Sequence, residues 1–249
     1  MNMNKKYSRS GYRYVVSSII DPFYSREVIF FLLIPLSLNS YFSQFVSAGT
    51  IPPFNQISVI SLISIFFFTA VLAYSCSFSA SMGNIIGTGS LAFLFTMPVN
   101  RFRFYLVTWL TAILSSFFLY SIAFIAVFGF LTFHIYSSVV GYYLLIILSS
   151  LMIYTSVGIL LSILFQNTII PVVLLIVGVL ILSIYSSTLF PHYLVGQSLI
   201  EGLGFLASHP EHANITFYPS IFLILLSIFI FMISYGVSRF KNYRSGRYA

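Results

Sequence analysis

The chain has 249 residues, of which 59% are hydrophobic and 6% charged, and its formal net charge is +7. An ordinary soluble domain is about 45–50% apolar and about 25% charged, so this composition excludes a globular protein with a water-facing surface. The basic residues sit just outside apolar segments, where they set topology and meet anionic lipid headgroups rather than nucleic acid.

Ahead of the first apolar run, Tyr12, Val15, Val16, Ile19, Ile20 and Phe23 follow the i, i+3, i+4, i+7 spacing of one helical face. Arg13, Ser17 and Asp21 fall elsewhere on the wheel. The pattern predicts an interfacial helix over about 11–20, lying on the membrane surface. Pro22 disfavours helix at Asp21. Asp21 can therefore cap, and Pro22 open, the helix that follows.

Six apolar segments come next, at roughly 28–47, 57–80, 104–130, 140–165, 169–189 and 217–238, none containing Asp, Glu, Lys or Arg. Each is long enough to cross a bilayer as a helix, which needs about 20 residues. Their apolar runs are continuous rather than alternating with period two, which favours helices over a β-barrel. The expected fold is all-α and integral to the membrane: one transmembrane domain over residues 1–249.

The connections set the orientation. Lys5, Lys6, Arg9, Arg13 and Arg26 precede the first span, and Arg101 and Arg103 lie between the second and third. Arg239, Lys241, Arg244 and Arg247 follow the sixth. With six spans all of these share one side, cytoplasmic by the positive-inside bias, and both termini lie there. The expected location is the cell (plasma) membrane. The longest outer connection, 190–216, carries Val195, Leu199, Leu203 and Leu206 on one face. That predicts a short helix, interfacial or re-entrant, before the sixth span.

Chemistry-bearing patterns are sparse. HExxH, GxSxG and Walker A loops are missing from the sequence. The lone cysteine, Cys76, permits neither an intrachain disulfide nor a cysteine metal site. His209-Pro210-Glu211-His212 lies in a polar outer loop interrupted by proline and is read as solvated, not as a metal site. Asn214-Ile215-Thr216 is a glycosylation sequon on the same side. The chain is expected not to be an enzyme, and to hold no metal and no cofactor of its own. Ionisable residues at membrane depth usually accompany ion-coupled transport, and the six spans have none. Energy for any uphill movement must then come from another polypeptide.

Residues 84–106, NIIGTGSLAFLFTMPVNRFRFYL, form the one long cytoplasmic loop, Ser81 to Arg103, and its flank. Thr88 or Ser90 can cap a short helix with Leu91, Leu94 and Phe95 on its apolar face. Pro98 ends that helix, and Asn100 caps the third span. The apolar face needs a cover, either lipid or another protein.

This loop resembles that of ABC-2-type transporter permeases, in which Gly-Thr-Leu, a leucine-rich stretch and Pro-x-x-Arg lead into the third span. Gly87-Thr88, Ser90-Leu91 and Pro98-Val99-Asn100-Arg101 carry the likeness, and Asn84 stands where the family often has an acidic residue. The interfacial helix, six spans and an element before the sixth span extend it across the chain.

The resemblance implies a permease half, partnered with a second half in a homo- or heterodimer. A separate cytoplasmic ATP-binding-cassette ATPase, which would hold the ATP and magnesium, is its implied energy source. It implies an ATPase-coupling loop built from Gly87, Thr88, Leu91, Leu94, Phe95, Pro98 and Arg101, assisted by the N-terminal helix. The expected function is transport of an apolar or amphipathic substrate. The other reading is a channel-like or scaffold component of a secretion or DNA-transfer machine.

Overall fold

The computed structural model describes residues 53–91, 100–130, 137–189 and 217–240. These form five helices: α1 (Pro53–Gly87), α2 (Arg101–Phe130), α3 (Ser137–Phe165), α4 (Ile169–Leu189) and α5 (Phe217–Phe240). Apart from the turns at 88–89 and 166–168 and the residue before α2, the described residues are helical, without strands. The interfacial helix predicted over 11–20, with Tyr12, Val15, Val16, Ile19 and Ile20, lies outside the described residues. So do the first predicted span and the outer helix of 190–216.

Three helical stretches are long and apolar enough to span a membrane: Arg101–Ile122, Leu144–Phe165 and Ser220–Phe240. The chain is accordingly a membrane protein. All five helices match predicted spans within a few residues except α1, which runs seven residues past the predicted end at Ala80. The loop expected from Ser81 is therefore helical as far as Gly87. At 1.5 Å per residue the 35 residues of α1 reach about 52 Å, well beyond a bilayer core of about 30 Å.

α3 is the centre of the bundle and packs on each of the other four helices. Within its apolar span 61% is buried by protein, against 39% in α2 and 28% in α5. Its most extensive partner is α5, followed by α1. The α5 helix buries a narrow stripe in which Ser220, Ser227 and Ser234 recur every seven residues, with Leu223, Phe231 and Ser238 beside them. Small residues suit this position because helices in lipid associate through close packing rather than through a hydrophobic difference.

Cross-helix contacts fix the directions. Tyr74 donates its hydroxyl to the Ala112 carbonyl at 2.9 Å and Tyr120 to that of Ala70 at 2.9 Å, so α1 and α2 are antiparallel. Phe68 meets Tyr154 edge to face, with centroids 6.5 Å apart, and Ser79 meets Ser162 further along, so α1 and α3 are parallel. Trp109 stacks on Phe231 at 4.6 Å while Phe102 meets Tyr235 at 5.0 Å, which sets α2 antiparallel to α5. One end of the bundle thus gathers the ends of α1, α3 and α5 and the starts of α2 and α4.

Candidate functional site: the basic end of the bundle

Arg101, Arg103 and Arg239 are the only charged side chains among the described residues, and all three lie at this end.

At the same end of the bundle, α1 meets α3 and the α3–α4 turn at backbone distance. Ser75, Ser79, Gly83 and Gly87 recur every four residues and form one edge of α1. Ser79 donates to the Gly158 carbonyl at 3.1 Å, and Ser162 donates to the Ser79 carbonyl at 2.8 Å. A Cβ on Gly158 would stand 3.1 Å from that of Ser79. Further along, a Cβ on Gly83 would collide with the Asn167 carbonyl, and one on Gly87 would stand 2.8 Å from the Gln166 oxygen.

The sequence explains why these carbonyls are available. A helix interior would pair the Asn167 carbonyl with the N–H four residues on, but that residue is Pro171, which has none. The Gln166 carbonyl lies just past the end of α3, where helical partners run out. Gln166 itself is left-handed, with φ 51°, and its N–H reaches Ser162 at 2.9 Å. Its side-chain Nε2 is buried without a hydrogen-bond partner. Asn167 then caps α4 by accepting from the Ile169 N–H at 2.8 Å. Two glycines of α1 thus receive two consecutive carbonyls of the turn.

The loop after α1 is closed in a similar way. Thr88 directs both its N–H and its hydroxyl at the Asn84 carbonyl, at 2.9 and 2.8 Å, and its oxygen contacts Ser90 at 2.9 Å. It therefore finishes the helix before it, and helical geometry resumes at Ser90. Gly89 takes φ 74°, a left-handed conformation open to glycine. The reversal returns Leu91 to the core, fully buried among Ile86, Phe104 and Tyr105. This corrects the reading of Leu91 as part of an outward apolar face: its cover is the chain itself, neither lipid nor partner. Asn100 caps α2 as predicted, accepting from the Phe102 N–H at 3.0 Å.

Of the residues expected to couple to an ATPase, Gly87, Thr88 and Arg101 are exposed at this end, whereas Leu91 is not. Leu94, Phe95 and Pro98 lie outside the described residues. Asn84, Ser90, Asn100, Arg103 and Asn167 complete the exposed polar rim. Sequence reading missed the Gly83–Asn167 contact. The four-residue recurrence of small residues on α1, together with Pro171, was the signal that points to it. No protein-family model, curated protein or solved structure matches the chain.

Proposed function

We propose that this chain is the membrane subunit of an ABC-2-type transporter, with six spans and with both termini in the cytoplasm. It pairs with a second permease half and draws on ATP hydrolysed by a separate ATP-binding-cassette ATPase. The observation that carries this reading is the basic end of the bundle. There Gly87, Thr88 and Arg101, which belong to the stretch that resembles the coupling loop of such permeases, are exposed at the same end as Arg103 and Arg239. This end is backed by α1 glycines that seat the α3–α4 turn.

A docking face has to transmit force into the spans, and backbone-to-backbone contact does this with little side-chain slack. The exposed rim of Thr88, Ser90, Asn100 and Arg101 supplies hydrogen-bond donors and acceptors at the level where the positive-inside bias puts the cytoplasm. The substrate class most consistent with spans free of ionisable residues is apolar or amphipathic.

Affinity purification of the tagged chain in mild detergent, followed by mass spectrometry, tests the proposal. An ATP-binding-cassette ATPase should co-elute in near-stoichiometric amount, and the chain reconstituted alone should show neither ATP hydrolysis nor uptake. Uptake driven by a proton or sodium gradient alone, or co-elution of a secretion ATPase instead, would exclude it.

A further inference from the structure

The junction between α2 and α5 carries one arginine on each helix. Arg103 directly follows Phe102, whose ring lies 5.0 Å from that of Tyr235. Arg239 lies one turn beyond Tyr235, its guanidinium 6.0 Å from the ring centre. Both arginines are exposed, and the described residues include no Asp or Glu to neutralise them.

Below each arginine runs a row of exposed apolar side chains. At 3.6 residues per turn, Arg103 lines up with Leu110 and Leu114, which are 40% and 61% exposed. By the same periodicity Arg239 lines up with Met232, Ile228 and Leu225, exposed by 50%, 42% and 61%. The helices are antiparallel and touch through Phe102, Trp109, Phe231 and Tyr235. In that arrangement both rows fall on the same side of the junction. The two rows border the junction as an apolar furrow about 16–21 Å long by helical rise, with one arginine of each helix at the same end.

Its position selects the occupant. Arg101 opens one membrane-spanning stretch and Arg239 is the penultimate residue of another, so the arginines stand at headgroup level. Guanidinium groups pair with phosphate oxygens through directed, charge-assisted hydrogen bonds. A soluble anion would satisfy the arginines and leave the furrow bare, whereas a phospholipid satisfies both. We propose that this furrow binds one anionic phospholipid, its phosphate between Arg103 and Arg239 and an acyl chain along Leu110, Leu114, Met232 and Ile228. The site is independent of what the chain transports.

Native mass spectrometry of the purified full chain, titrated with phosphatidylglycerol or with phosphatidylcholine of the same acyl chains, tests it. Phosphatidylglycerol should bind with one equivalent held at least about fivefold more tightly than phosphatidylcholine, the effect of a single basic residue. Arg103→Gln with Arg239→Gln should weaken phosphatidylglycerol roughly thirtyfold, at about fivefold per arginine, with thermal unfolding confirming the fold. Arg103→Lys with Arg239→Lys keeps both charges and should retain most of the binding. Leu114→Trp with Met232→Trp fills the furrow without touching charge and should lower retention of both lipids. Equal retention of the two lipids, unchanged binding in the double glutamine variant, or displacement by soluble glycerol phosphate would each overturn the proposal.

Discussion

Two contacts at the same end of the bundle are built by opposite means. Between α1 and the α3–α4 turn, Gly83 and Gly87 bring backbone against the Asn167 and Gln166 carbonyls, with no side chain between them. Between α2 and α5, Phe102, Trp109, Phe231 and Tyr235 hold the helices apart on stacked and tilted rings. A backbone contact cannot yield by a rotamer change, whereas an aromatic one can. The first region should therefore act as a fixed pivot and the second as a deformable edge.

The sharpest way to break this comparison is Gly83→Ala. The added methyl meets a carbonyl held by the turn, so relief requires moving α1 or α4 bodily. We expect a loss of about 3 kcal/mol or more, at the upper end of overpacking effects, read as a collapse of monodisperse protein in detergent and a lower Tm. A Tm within a degree of wild type would show that the pivot is not fixed.

Leu91→Ala comes next. Its side chain is fully enclosed in the core that joins the ends of α1 and α2, so truncation should cost about 2–3 kcal/mol by cavity formation. Thermal unfolding in detergent separates this from a docking role, which would weaken partner binding and leave the Tm unchanged.

The aromatic edge should give the smallest effect. Trp109 stacks on Phe231, but its Nε1 has no hydrogen-bond acceptor. Trp109→Phe keeps a ring on Phe231 and loses no hydrogen bond, so the Tm should report only the cavity left by the smaller ring, about 1–2 kcal/mol. A loss as large as that of Gly83→Ala would abolish the distinction between the two regions.

These contrasts also mark what was legible in the sequence. Uninterrupted apolar runs define α2, α3, α4 and α5 within a few residues, because length and absence of charge are local properties. Asn100 was readable as a cap because capping depends on residues two or three positions away. The extension of α1 was not. Gly83, Asn84 and Gly87 read locally as poor helix formers, and the two glycines pack against a turn some eighty residues later. Leu91 was misjudged for the same reason: its spacing marks an apolar face, but the reversal at Gly89 decides which way that face turns. The basic end was readable as charge alone, while the glycine contact at that end needed three dimensions.

The central claim is that this end of the bundle is a docking face for an ATPase, and site-directed photocrosslinking in cells tests it most directly. A photoreactive residue placed at Thr88 or Asn100, both exposed on the polar rim, should capture an ATP-binding-cassette ATPase in a defined adduct. The same residue at Leu114, 61% exposed on the apolar face of α2, should capture none. An ATPase adduct from Leu114, or none from either rim position while the chain remains folded in the membrane, would contradict the account.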